Sequence, residues 1–321
     1  MKNWLLLLLW LPVAAIAQTE IHPDADPGAE SGSPINWVDS SHAYATDNAQ
    51  ALTEWLDEFF GDPIYDAERA ESYLRIELID DWDREDGNDF KVRLRGQVQL
   101  PKISQRAHLI FSGEEAGELE EDERKEEDRI GIQYKVREGD RARVDLTMSY
   151  ASSHLKPGIR YRNEGSFSDL YSYRLTQRVQ YEHEKQFFST TLADLNRAVG
   201  QNSALRWANR FVYGEETDGL EWRTRLSLSQ RFGQDSKRPL AIRYFGVVTG
   251  VTRPDSFVKN YRLGVLVRRQ MYRDFLFVEL EPAYNLRRRE IEDNREGQWS
   301  LVLRLEIALE RDLRRVKPTK D

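Results

Sequence analysis

The sequence contains no cysteine. A chain without thiols has no disulfide framework and no thiolate metal site, and we expect neither a metal nor a cofactor. Beyond residue 17, no stretch approaches the roughly 20 apolar residues that a membrane-spanning helix needs. A nucleic-acid surface is not indicated, because the basic residues alternate along the chain and do not form one patch. Net charge, −8 overall, does not separate a soluble from a membrane protein.

The first residues have the pattern of an export signal. Lys2 precedes an apolar run over residues 4–16, and Ala15-Ile16-Ala17 resembles a signal-peptidase site. This combination predicts a secretory signal peptide over residues 1–17 that is removed from the mature protein. Residues 18–45 are rich in Pro, Gly, Ser and Asp and lack periodicity, which predicts a flexible leader.

An amphipathic helix is predicted over residues 46–61. Asp47 and Gln50 resemble a capping box, and Gly61 is a suitable stop. One apolar stripe follows helical spacing, formed by Leu52, Trp55, Leu56, Phe59 and Phe60.

Two interpretations of this helix stay open. Its acidic face, with Asp47, Glu54, Asp57 and Glu58, could face arginines as a plug. Alternatively, the apolar stripe could dock on lipid or on a partner protein as a periplasmic or surface helix. A polar lumen would offer the apolar stripe no partner, which argues against the plug.

From residue 70 to residue 310 the hydropathy pattern changes to period 2. Leu220, Trp222 and Thr224, for example, alternate with Glu221 and Arg223, and this pattern predicts strands with one apolar and one polar face. We predict an all-β fold of about 14 antiparallel strands, with 12 as the alternative because the segments 158–165 and 187–198 are weakly patterned. Residues 311–321 form a C-terminal tail.

Three features favour a membrane barrel over a soluble β-protein. Many predicted strands run for about 10 to 14 residues, which suits a tilted bilayer crossing. Aromatic residues gather near strand ends on the apolar face, as in interfacial girdles. The connections on one side are short, whereas the acidic segment 114–128 and the segment 289–296 are longer loops for the other side.

Together these features resemble the Gram-negative outer-membrane β-barrel class, in a porin-like size. The resemblance implies an up-and-down transmembrane barrel in the cell outer membrane, in contact with lipid and lipopolysaccharide. It rests on strand rhythm and export signal, without a family-specific motif. The tail after residue 310 departs from the class, which often ends on an aromatic residue at the close of the last strand.

On the polar face of the predicted strands, basic residues clearly outnumber acidic ones. An Arg-rich lumen favours the passage of anionic solutes, and this predicts a porin-like channel. The alternative is a filled structural or assembly barrel that recruits a periplasmic protein through residues 18–69. We predict that the lumen is lined by Arg93, Arg95, Arg143, Arg174, Arg178, Arg206, Arg210, Arg223, Arg225, Arg243, Arg262, Arg304, Glu221, Glu279 and Glu281.

An enzyme is the least supported interpretation. A hydrolase needs a nucleophile and a base within hydrogen-bond reach, and no Gly-x-Ser-x-Gly motif is present. Among the histidines beyond the leader, only His154 has hydroxyl residues beside it, Ser152 and Ser153. We therefore expect no catalytic activity and keep an outer-membrane lipid hydrolase as a minor alternative.

Overall fold

The computed structural model describes most of the part of the chain that was predicted to form strands. It covers residues 52, 56, 59, 60, 73–83, 87–100, 104, 106–111, 130–139, 141–151, 154–168, 170–183, 186–215, 217–233, 238–271 and 275–309. The signal peptide, the leader, most of the predicted helix and the C-terminal tail lie outside the described residues, and these predictions stay predictions.

Period-2 patterning gives strands throughout the described region. They are β1 (Tyr73–Asp83), β2 (Gly87–Gln99), β3 (Ala107–Phe111), β4 (Ile130–Glu138), β5 (Ala142–Ala151), β6 (His154–Ser168), β7 (Tyr171–Glu182), β8 (Gln186–Ala198), β9 (Ser203–Gly214), β10 (Leu220–Phe232), β11 (Leu240–Val251), β12 (Phe257–Gln270), β13 (Leu276–Arg287) and β14 (Glu296–Ala308).

These 14 strands form one closed barrel in which every strand pairs with its neighbours in sequence. The barrel closes where β1 pairs antiparallel with β14, with Arg75 opposite Ala308. The predicted all-β barrel is confirmed, and the alternative of 12 strands is wrong because both weakly patterned segments, which lie in β6 and β8, form complete strands. Because the number of strands is even, the start of β1 and the end of β14 lie at the same rim, here called the near end. The opposite rim is the far end.

The barrel is apolar outside and charged inside. Val92, Phe90 and Leu263 are more than 60% exposed on the outer wall, whereas Arg160 and Arg268, on inward positions, are 1% exposed or less. A soluble protein would reverse this distribution, so the wall has the composition of a barrel that faces hydrocarbon. No helix among the described residues is long and apolar enough to cross a bilayer.

The connections differ only mildly between the two ends. At the far end, residues 112–129 and 288–295 form the long links, but β1–β2, β5–β6 and β7–β8 are joined there by only a few residues.

Candidate functional site

All 15 residues predicted to line the lumen occupy inward positions of the barrel wall. The register places them opposite other inward residues, such as Arg93 opposite Glu77, Arg223 opposite Arg210 and Arg304 opposite Glu279. Side chains alternate strictly along a strand, and the outward neighbours of these residues are mostly aliphatic or aromatic. The inward and outward positions assigned to these residues from the sequence are therefore the positions that they have in the structure.

Sequence reasoning missed several charged residues on the same inward face. Lys156 is inward on β6 and pairs with Glu182 at 2.8 Å, and Asp194 is inward on β8 and pairs with Arg206 at 3.2 Å. Three aspartates near the far end of β1 and β2 also lie on inward positions, and these are Asp81, Asp83 and Asp89. They reduce the positive surplus of the lumen without removing it.

Glu306 on β14 is the hub of a charge network at the near end. Its side chain is 1% exposed and accepts hydrogen bonds from three arginines on three other strands. Arg75 donates at 2.9 Å, Arg95 at 3.4 Å, and Arg268 donates to both carboxylate oxygens at 2.7 and 3.1 Å. A bidentate contact of this kind is the strongest form of the arginine–carboxylate ion pair.

Two more carboxylates extend the network along the wall. Glu279 accepts hydrogen bonds from Arg268 and Arg304. Glu77 pairs with Arg95 at 3.0 Å. The network crosses β12, β13, β14, β1 and β2, including the seam where the barrel closes. Because three carboxylates offset most of the charge of these four arginines, this side of the near end is chiefly a structural part of the wall.

An apolar patch interrupts the charged inner wall near the same end. Phe245 is inward on β11 and only 5% exposed, and its ring covers Gly264 on β12. A Cβ atom at Gly264 would lie 2.5 Å from the Phe245 ring, so only glycine permits this packing. We name the patch the luminal seat, and it consists of Ala204, Ala241, Phe245, Val247, Leu266, Phe277 and Ala283.

Residues of the predicted helix occupy the luminal seat. Leu52, Leu56, Phe59 and Phe60 are each less than 10% exposed and form one cluster with the seat. The Phe60 amide donates to the Leu56 carbonyl at 2.9 Å, which is a helical hydrogen bond. The Phe59 ring stands edge-on to Phe277, with ring centroids 5.7 Å apart.

Arginines of the barrel wall cover these aromatic rings. The guanidinium carbon of Arg243 lies 4.0 Å from the Phe60 centroid, and that of Arg268 lies 4.3 Å from the Phe277 centroid. Cation–π contacts of this length add to the burial of the rings. Arg268 also holds Glu306, so the segment at Leu52–Phe60 is joined to the charge network.

The expectation that the lumen has no partner for the apolar stripe is wrong. Phe245 and Val247 share the inward parity of Arg243, so the barrel interior carries its own apolar surface. Among the described residues of the segment, those that contact the wall are apolar. The acidic face of the predicted helix lies outside the described residues, and its role as the docking surface stays a prediction.

Beyond the luminal seat, toward the far end, the lumen contains a vestibule of about 1230 Å³. Thr249, two residues past Val247 on the inner face of β11, belongs to its lining. Eight basic and six acidic side chains line the vestibule. The basic ones are Lys91, Arg210, Arg223, Lys259, Arg262, Arg287, Arg288 and Arg289.

The histidine considered for catalysis lies at the far end of the barrel, on β6. The His154 ring stacks on His183 at the far end, with centroids 5.6 Å apart. Ser152 and Ser153 lie outside the described residues. Among the residues that the structure describes, no group of His, Asp and Glu is arranged to hold a metal ion.

Comparison with known proteins finds likeness only among solved structures. No family model matches the chain, and no curated protein matches it. Similar structures include the NanC porin (6% identity, 72% of this chain and 98% of that chain, TM-score 0.37). Others are the KdgM porin in complex with disordered oligogalacturonate (7%, 73% and 98%, 0.37) and OmpT, an outer membrane protein of Vibrio cholerae (8%, 74% and 96%, 0.43). No family membership follows from scores this low.

Proposed function

We propose that this chain is an outer-membrane β-barrel of Gram-negative bacteria, exported through a cleaved signal peptide, that passes small anionic solutes. We further propose that it rests with the segment at Leu52–Phe60 docked in its lumen. The outer wall would contact lipid and, at the far end, lipopolysaccharide. The observation that carries the proposal is that basic side chains outnumber acidic ones, eight to six, in the lining of the vestibule.

The vestibule would concentrate anions before they reach the narrow part of the barrel. A low-dielectric wall focuses the field of the charges that it carries, and inward cations raise the local concentration of anions. Arg210 and Arg223 face each other across neighbouring strands, so their fields reinforce each other. The paired arginines around Glu306 contribute less, because their carboxylate partners offset most of the field.

Passage would require the luminal seat to be vacated. The segment at Leu52–Phe60 lies against β9 to β13 on the near-end side of the vestibule, and a solute that enters at the far end meets it next. Undocking breaks no covalent bond and no buried ion pair of the described residues, because the four side chains are held by apolar burial of about 1.5 to 3 kcal/mol each.

A filled barrel that recruits a periplasmic protein through residues 18–69 is the second candidate. The buried charge network around Glu306 favours it, because such networks stiffen a barrel wall. A lipid hydrolase has no support from the described residues.

Reversal potential in a planar bilayer under a KCl gradient tests the proposal. We expect chloride selectivity in the full chain and in a Phe60→Ala background, where the segment docks less tightly. Arg223→Glu should shift the reversal potential toward potassium. Arg269→Glu, an equal charge change on the outward side of β12, should leave it unchanged.

Two results would contradict the proposal in different ways. Equal reversal potentials for Arg223→Glu and Arg269→Glu would remove the luminal arginines from ion selection. A folded Phe60→Ala barrel that carries no current would favour the filled barrel.

A further inference from the structure

One region of the lipid-facing wall is polar where hydrocarbon is expected. The outward faces of β7, β8, β9 and β10 carry amide and hydroxyl side chains in the middle of the wall. Their outward parity follows from the register, which pairs Gln177 with Thr191 and Asn209 with Thr224. We name this set the mid-wall polar patch, and it consists of Gln177, Ser189, Thr191, Asn209 and Thr224.

The patch lies at the depth of the bilayer core. On β7, Gln177 is midway between Tyr173 and Tyr181 on the outward face, and tyrosines at such positions mark the two membrane interfaces. Exposed apolar side chains surround the patch, including Leu175, Val179 and Trp207. Elsewhere on the described wall, polar outward side chains are single or lie at strand ends, as Asp80 does between Leu78 and Trp82 and Ser203 at the start of β9.

The hydrogen bonds within the patch leave donors unused. Thr191 donates to the Gln177 carbonyl oxygen at 2.7 Å, and the Gln177 amide donates to Ser189. Thr224 donates to the Asn209 carbonyl oxygen at 2.9 Å, and the Asn209 amide donates to the Ala193 carbonyl at 3.5 Å.

Each side-chain amide has two N–H donors, so Gln177 and Asn209 each keep one donor without an acceptor among the described residues. Hydrocarbon cannot satisfy such a donor.

We infer that the mid-wall polar patch is covered in the membrane by a second copy of this chain. Amides and hydroxyls both donate and accept, so the patch is complementary to itself and carries no charge to oppose its own copy. Ser189, Thr191 and Ala193 are small, which lets two walls approach closely, as small residues do at other contacts in membranes. A single patch that meets its own image requires a two-fold axis and gives a dimer.

Disulfide cross-linking tests this dimer directly, because the chain has no native cysteine. Thr191→Cys, near the predicted axis, is oxidised in membranes that contain the full-length chain. We expect a covalent band at twice the mass of the chain. Leu303→Cys, an outward mid-wall position on β14 that is 45% exposed, serves as the control and should give no such band.

Further variants separate a true contact from chance collision. Gln177→Leu together with Asn209→Leu should abolish the Thr191→Cys cross-link while the barrel stays folded, whereas Gln230→Leu, at the near end of β10, should preserve it. Ser189→Cys provides a second cross-linking position. The inference fails if neither cysteine cross-links more than Leu303→Cys, or if the product has another mass, which would identify a different protein on the patch.

Discussion

Phe60 offers a quantitative test of docking in the luminal seat. Its ring is 8% exposed and lies under Arg243 at 4.0 Å. Replacing Phe60 by alanine removes about 2 to 3 kcal/mol of apolar burial and about 0.5 to 1 kcal/mol of cation–π attraction. A loss of about 3 kcal/mol shifts an equilibrium by roughly a hundredfold, since each 1.4 kcal/mol is a factor of ten. Phe60→Ala should therefore raise the ratio of undocked to docked segment by about two orders of magnitude.

Single-channel recording of the refolded protein measures this ratio as the fraction of time spent conducting. The matched control is Phe187→Ala, which removes the same ring from the lipid-facing wall, where it is 58% exposed. We expect a large rise in conducting time for Phe60→Ala and none for Phe187→Ala. Equal conducting fractions in the wild-type chain and in Phe60→Ala would refute the assignment of the luminal seat as a docking site.

Two further predictions concern the wall itself. Glu306→Gln leaves Arg75, Arg95 and Arg268 without their shared carboxylate, and breaking a buried ion pair costs about 3 to 5 kcal/mol. Heat-modifiable mobility in a gel should therefore show that this variant unfolds at a markedly lower temperature than the wild type, whereas the control Glu221→Gln unfolds close to the wild-type temperature. Identical unfolding transitions for both variants would contradict the network. Gly264→Ala places a methyl group against the Phe245 ring and should raise the conducting fraction as Phe60→Ala does, whereas Gly246→Ala on the outward face should not. A closed Gly264→Ala channel would mean that the seat tolerates displacement of Phe245.

The barrel itself could be predicted because a membrane strand with one apolar and one polar face has a simple alternating sequence pattern. Hydrocarbon outside and charge inside force every second residue to be apolar over 10 or more positions. On β10, Leu226 and Leu228 face outward while Arg223 and Arg225 face inward. The same alternation is sufficient to assign all the predicted lining residues to the inner face.

Where both faces of a strand are polar, the alternating hydropathy pattern is ambiguous. The outward side of β8 carries Ser189, Thr191 and Ala193, so hydropathy does not distinguish it from the inner side, and sequence reasoning misses the inward Asp194. On β6, Pro157 lowers strand propensity, and the pattern predicts a strand that begins at residue 158. The structure continues the strand back to His154, and this extension brings Lys156 onto the inner wall.

The luminal seat escapes prediction for a different reason. Phe245 and Leu266 are an even number of residues from inward arginines on their own strands, so their inward position can be predicted from the sequence. Apolar side chains at such inward positions are the available signal. Their partners, Phe59 and Phe60, lie far away in sequence, and period-2 patterning carries no information about contacts across the lumen.

A reversible lock on the segment tests the central claim most directly. Phe59→Cys and Phe277→Cys replace two rings that meet at a centroid distance of 5.7 Å, and the chain has no other cysteine. A direct disulfide requires closer Cβ atoms than two facing rings provide, so the two thiols are joined by a bifunctional methanethiosulfonate reagent that fills the space of the rings. Current through one channel is recorded after cross-linking and again after reduction. We predict no conductance while the cross-link holds the segment in the luminal seat, and a chloride-selective current once it is reduced. The same current in both states would contradict a docked segment that closes an anion passage.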